Sequence, residues 1–535
     1  MHRRALLGGL GGGAAALALG LLFAPREGGG LVRPARLPSN ADDPFALGVA
    51  SGMPAPDSVV LWTRLAPRPL ESLAGLPEAP IAVRWELAED ERFRTGRRHG
   101  EAWARPEHAH SLHVEVVGLP ADRRFFYRFR CGDTESPIGR TRTAPAPGAE
   151  VGRLRLALAS CQHYEQGAFA LQREIAGRDL DLVVFVGDYI YESTNPRYRL
   201  RAFEGPRPTT LEGYRRRHAT YKLDPDLRAA HAAHPWLLTW DDHEVENDYA
   251  GSASRDEPDP DAFLRIRAAA YKAYFEHLPV SPRMAPRGAS MPIHAHHGWG
   301  RLADLWTLDN RQYRSPQACR SQGGAGGRLL HDCAELEDPR RTMFGAAQEH
   351  WIAGELAARQ GAWRLLAQST QIAPSRIDAP LGPSSIYSDS WDGYPRARER
   401  LLGAIAAQPR GDVVCLGGDV HRHVAARLRA DPRNPASPVV ASEFVGSSLT
   451  TRNASDAAVQ WMRAANPDLL HARSDERGYL LIELDARRLR CEMRATAFPV
   501  RDGARVHTQA AYVVERGRPG PQEDSAPAAA PEAGA

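Results

Sequence analysis

Four short apolar runs along this chain each stop abruptly at a polar residue. Leu154–Ala159 runs into Ser160 and Cys161, and Leu182–Val186 into Gly187 and Asp188. Leu237 and Leu238 lead through Thr239 and Trp240 to Asp241, Asp242 and His243. Val413, Val414, Cys415 and Leu416 lead through Gly417 and Gly418 to Asp419, Val420 and His421. Runs of this length read as buried strands. In an open α/β sheet, ligands bind beyond the carboxyl ends of the strands.

Between these runs the apolar spacing changes to that of helices. It predicts helices over 262–277, 348–360 and 396–407. Strands that alternate with helices make an α/β layered fold, here over 150–515. Residues 42–147 differ. Short β-rich runs alternate with turns, as in 58–65, 81–87, 113–117 and 124–130, which predicts a small all-β sandwich. Its aromatic residues read as core. Residues 310–344 form a long connection, and 516–535 are rich in Pro, Ala and Glu without periodicity, the pattern of a disordered tail.

At 535 residues, two or more domains are expected. The net charge of +3 is small, and acidic and basic residues are mixed. No Lys/Arg tract argues for nucleic acid, so none is expected as a specific partner. Six cysteines do not make a disulfide framework in so large a chain. Cys319 and Cys333 bracket a Gly-rich loop, where one bridge would form in an oxidising compartment.

Residues 1–30 open with Arg3-Arg4 and continue as a Gly/Ala-rich, weakly apolar run. That is the layout of an export signal, and the paired arginines point to the twin-arginine route. A retained membrane anchor is the rival reading, weakened by the many glycines. The expected location is periplasmic or extracellular.

The chemistry of the strand ends converges on a metal centre. Asp188 can bridge two cations with its two oxygens. Tyr191, three residues on, ionises at neutral pH only beside a strongly Lewis-acidic cation such as ferric iron. Cys161 as a thiolate favours the same metal, and His421 would complete that set. Asp242 and Asp419 offer hard oxygens that suit calcium, and Asn247 adds a carbonyl oxygen. His243 is placed to protonate a leaving alkoxide or to contact the phosphoryl oxygen. Each group has a plainer reading. Cys161 could be a buried core residue, Tyr191 a packed aromatic, Asp188 a helix cap, His421 a surface histidine, and Asp241 a turn cap or a supporting hydrogen-bond partner. Cys415 reads as core. His294, His296 and His297 read as structural or surface residues, with a ligand role for His296 as the alternative. The joint placement carries the argument.

Gly187-Asp188-Tyr189-Ile190-Tyr191, Trp240-Asp241-Asp242-His243-Glu244 and Gly418-Asp419-Val420-His421 resemble the signature of PhoD-type alkaline phosphatases. So do Ser160-Cys161-Gln162 and Ser390-Trp391-Asp392-Gly393-Tyr394. The resemblance spans roughly residues 45–516. It implies a calcineurin-like metallophosphoesterase fold, a β-sheet sandwich flanked by helices. It implies phosphomonoesterase and phosphodiesterase activity with Fe3+ and Ca2+. On it, iron would be held by Cys161, Asp188, Tyr191 and His421, and calcium by Asp188, Asp242 and Asp419. A second calcium would lie near Asn247 or Asp248.

The leading expectation is therefore an exported, monomeric phosphoesterase that releases phosphate through a metal-activated hydroxide. Its partners would be small phosphate esters or phospholipid headgroups and the twin-arginine machinery. An iron-dependent phospholipase D is the rival with the same chemistry. A non-catalytic phosphate- or glycan-binding surface protein is the rival from another class.

Overall fold

The computed structural model describes residues 42–320, 324–359, 361–378, 383–408 and 412–524. The expected signal segment, 1–30, lies outside the described residues, as does the end of the tail from 525 on.

Two large sheets pack face to face. Ten strands form the first, in the order Gln522–Glu523, His507–Glu515, Arg488–Ala497, Glu476–Leu484, Leu154–Ala159, Leu182–Val186, Pro235–Thr239, Val49–Gly52, Ser58–Arg64 and Ser111–Val117. The second has seven, in the order Ala295–Trp299, Ala303–Thr307, Trp363–Ala367, Asp412–Gly417, Val439–Val445, His423–Arg429 and Leu469–Arg473.

Period-two alternation decides which side chains meet. Leu156, Leu158, Val184, Val186 and Leu237 turn inward and meet Leu365, Val414, Leu416 and Phe444 of the second sheet. Ala157, Val183, Phe185 and Leu238 turn outward and pack under helices through Tyr214, Tyr221, Phe263 and Tyr271. Trp306, Leu366, Val413 and Cys415 pack outward against Ile352, Leu356 and Leu402. The layers are thus helix, sheet, sheet, helix, and Cys415 is core, as its setting implied.

The three predicted helices form, shifted by a residue or two: Pro260–His277, Ala346–Ala358 and Pro395–Ala406. Pro260 opens the first of them, and Asp259 caps it by accepting from the Asp261 N–H at 3.0 Å. Leu211–Lys222 and Pro225–Ala233 are also helical, and the apolar spacing did not reveal them. The first buries Arg217, His218, Thr220 and Lys222, which breaks the apolar pattern, and the second is only nine residues long.

The N-terminal segment is a sandwich, but not a separate one. Val59, Leu61, Leu112 and Val116 pack on Val83, Leu87, Phe125 and Phe129 of a five-stranded sheet. The first layer of that sandwich is the end of the ten-stranded sheet itself. Val49–Gly52 pairs in parallel with Pro235–Thr239, matching Ser51 to Pro235 and Gly52 to Trp236. A Cβ on Gly52 would stand 2.2 Å from the Pro279 carbonyl oxygen, so only glycine allows that junction. The expected boundary near residue 147 therefore separates stretches of sequence that share one continuous sheet.

The tail differs from expectation over its first residues. The Gly517 N–H donates to Asp412, and Gln522–Glu523 adds an edge strand to His507–Glu515. The open hydrogen-bonding edge of that strand captures a segment that lacks any apolar pattern of its own. In the 310–344 connection, Cys319 and Cys333 form a disulfide.

Candidate metal centre

Leu154–Ala159, Leu182–Val186 and Pro235–Thr239 run parallel, so their carboxyl ends share one edge. Asp412–Gly417 of the second sheet ends facing them. A Cβ on Gly418 would come 2.5 Å from Ser160 Oγ, and one on Gly187 would come 2.5 Å from the Asp241 nitrogen. Glycine at both positions lets the strand ends close on one another.

The residues that follow are sharply turned. Cys161, Asp188, Asp419 and His421 all have positive φ, between 50° and 62°. Left-handed backbone outside glycine costs roughly 1–2 kcal/mol per residue. Such strain concentrates at functional sites. Here it turns each side chain back toward one point.

Cys161, Asp188 and His421 bring one ligand atom each within 4.8 Å of one another. Asp188, Asp242 and a ring nitrogen of His243 do the same. Asp188 belongs to both groups. Its Oδ2 accepts from the Tyr191 hydroxyl at 2.8 Å, and its buried Oδ1 has no partner. Tyr191 Oη lies 3.3 Å from His421 Nε2. The other ring nitrogen of His421, Nδ1, is 3.0 Å from the Arg452 carbonyl oxygen. A carbonyl only accepts, so Nδ1 carries the proton and Nε2 presents a lone pair inward.

Asp419 stands at the edge of this cluster and accepts from Thr370 Oγ1 at 2.5 Å. It is in neither group of three, although its charge reaches Cys161. Asn247 is half-buried and is held by its backbone N–H, which donates to Glu192 Oε1 at 3.2 Å. His296 lies on another strand and pairs with Asp304 at 2.7 Å, a structural role.

The electrostatics call for added positive charge. Burial, and then the neighbouring acids, push Asp419 well above the usual carboxylate range. Burial does the same to Asp188, with Asp242, Asp241 and Glu244 adding to it against His243. Burial and Asp188 raise both Cys161 and Tyr191. So many buried acids, a thiol and a phenol cannot ionise together without a counter-charge. The donor set fits cations.

Asp242 differs. Burial opposes its ionisation, but Arg311 and His243 overcome it and hold its pKa below the usual carboxylate range. Arg311 is buried, pairs with Asp241, and lies 3.6 Å from Asp242 and 2.9 Å from Asp389. His243 is raised well above an ordinary imidazole: burial lowers it, and Glu192, Asp242 and Asp188 more than compensate.

Sequence reasoning passed over Glu192, Arg311, Thr370, Asp389 and Thr451. Thr451 Oγ1 lies 2.9 Å from Tyr191 Oη and 2.8 Å from the Cys161 carbonyl oxygen. Three of the five carried a signal. Ala303–Thr307, Trp363–Ala367 and Val439–Val445 run parallel to Asp412–Gly417, and they lead to Arg311, Thr370 and Thr451 within six residues. Reading every parallel strand end, rather than only those finishing in Cys, Asp or His, would have found them.

The profile of the family described as PhoD-like phosphatase matches residues 156–493, and that of its N-terminal domain matches residues 32–145. The chain belongs to the PhoD-like phosphatase family. It is 41% identical over 515 residues to alkaline phosphatase D of Bacillus subtilis (strain 168), covering 95% of this chain and 86% of that protein. A solved structure titled "Structure of PhoD" superposes with a TM-score of 0.87 at 39% identity, covering 91% of this chain and 94% of that one. As a PhoD-like phosphatase the chain is a phosphoric ester hydrolase with a mixed α/β fold. Metal dependence fits the two ligand groups that meet at Asp188.

Proposed function

We propose that this PhoD-like phosphatase is exported by the twin-arginine route and hydrolyses phosphate mono- and diesters at a mixed-metal centre. Fe3+ would be held by Cys161, Asp188, Tyr191 and His421. Ca2+ would be held by Asp188, Asp242 and Asp419, with Asn247 or Asp248 beside a second calcium. The observation that carries this reading is Asp188, shared by both ligand groups with one buried oxygen left unpartnered. Bound cations supply positive charge that polarises a phosphoryl group and acidifies water.

The chain's own residues do the rest. His421 is kept neutral, pushed down to about 3 by burial, Arg477 and His243, and so keeps a lone pair for a cation. Arg311 holds Asp242 ionised and in place. His243 Nδ1 faces Glu192 Oε2 at 2.7 Å, which fixes the ring. Its other nitrogen is then free to donate a proton to the departing alkoxide.

Elemental analysis of the purified protein beside a panel of phosphate esters tests the reading. Iron and calcium in the wild type, with loss of both metal and hydrolysis in Asp188→Asn, is the expected result. A metal-free wild type that is fully active would refute it.

A further inference from the structure

The loop that supports His421 carries Arg452, and Arg197 lies against the same tyrosine ring; the chemistry above uses neither. Arg452 follows Thr451, which touches Tyr191. Its backbone is fixed at both ends: the N–H donates to Gln166 Oε1 at 2.7 Å, and the carbonyl accepts from His421 Nδ1 at 3.0 Å. Asn453 adds a third tie, donating to the Val420 carbonyl at 2.7 Å. The Arg452 side chain is exposed, and its guanidinium lies 4.3 Å from the centre of the Tyr198 ring. Arg197 is exposed as well and lies 5.5 Å from the same ring. Phe498 backs that ring edge-on at 6.1 Å.

Neighbouring arginines are neutralised. Arg199 pairs with Glu165 at 3.1 Å, and Arg201 with Asp224 at 2.5 Å. Among the described residues, no carboxylate pairs with Arg197 or Arg452. Stacking on an aromatic ring holds a guanidinium in place while leaving its N–H edge open to an anion. The result is a cationic, aromatic ledge, built on the loop that supports His421.

We propose that Arg452, with Tyr198 and Arg197, binds the second arm of a phosphodiester substrate when that arm carries a further negative charge. The inference rests on the phosphoesterase reading of the centre and names a substrate class for it. A cationic choline arm would be disfavoured by the same charges, which sets this enzyme apart from one tuned to choline headgroups.

The test uses the full-length metal-loaded protein and three p-nitrophenyl phosphodiesters with the same leaving group. Their second arms are an uncharged alkyl chain, a choline, and an alkyl chain ending in a phosphonate. The wild type should rank them by kcat/KM as anionic, then uncharged, then cationic. Raising salt from about 0.05 to 0.5 M should compress that ranking, since the arginines are exposed. Arg452→Ala should cut the anionic-to-cationic ratio about fivefold, the scale of one exposed charge pair, chiefly through KM. Arg452→Lys should keep the order, and Arg452→Glu should reverse it. A wild type that cleaves all three alike, at low salt as at high, overturns the proposal while leaving the phosphoesterase reading intact. A wild type that cleaves none of them, while still hydrolysing p-nitrophenyl phosphate, overturns both the proposal and the diesterase part of that reading.

Discussion

Glu192 Oε2 lies 2.7 Å from His243 Nδ1, although the two residues are 51 positions apart. Glu192 is itself buried beside Tyr191. The pair fixes which imidazole nitrogen faces the clustered acids. Glu192→Gln should lower kcat by roughly 10- to 100-fold, the cost of losing such a support. Leaving groups discriminate this role from a merely structural one. Alkyl esters, which need a proton on departure, should lose more than p-nitrophenyl esters. Equal losses for both would show that the pair does not serve proton delivery.

Asp188 is the shared ligand candidate, whereas Asp419 stands to one side. Asp188→Asn should strip both kinds of ion and lower hydrolysis by roughly three orders of magnitude, the scale of a main electrostatic stabiliser. Asp419→Asn should spare the iron and weaken calcium retention. Elemental analysis after dialysis separates the two variants. Equal iron loss in both would break the assignment.

Tyr191 Oη touches both Asp188 and His421. If its phenolate binds ferric iron, the wild-type protein absorbs visible light through charge transfer. Tyr191→Phe should lose that band even where iron is retained. A band that survives the substitution would remove Tyr191 from the ligand set.

Lys222 is buried with no hydrogen-bond partner, its ammonium 4.4 Å from the Trp62 ring centre. Burial pushes its pKa well below that of an ordinary lysine. The unfolded chain therefore binds a proton that the folded one resists, and stability rises with pH until free lysine also loses it, near 10.4. Lys222→Met should stabilise the protein by roughly 1–3 kcal/mol at pH 7. The gain should shrink as the pH approaches 10. Thermal melts of both proteins across that range measure it, and a pH-independent difference would contradict the account.

The Cys319–Cys333 bridge closes a 14-residue separation. Loop-closure entropy values such a bridge at roughly 3 kcal/mol. Cys319→Ser with Cys333→Ser should lower the melting temperature, and reductant should do the same to the wild type but not to the double variant. A double variant that melts with the wild type would show that the loop gains nothing from the link.

Strand identity was legible locally, because burial of both faces leaves an unbroken apolar run such as Leu182–Val186. The polar residue that ends each run was legible too, and so Cys161, Asp188, Asp242, Asp419 and His421 could be grouped before any coordinates. Helix 260–277 announced itself through spacing. Helix Leu211–Lys222 did not, since seven of its twelve residues are buried and four of those seven are Arg217, His218, Thr220 and Lys222.

Pairing between distant segments belonged to the tertiary structure. Hydrogen-bond register joins Val49–Gly52 to Pro235–Thr239 across almost two hundred residues, and no local pattern encodes that contact. The same holds for Arg311 behind Asp242 and Thr451 against Tyr191. An arginine or threonine looks alike in any loop. Only when the low-dielectric centre closes around it does its charge or hydroxyl find the acid or phenol that gives it a role.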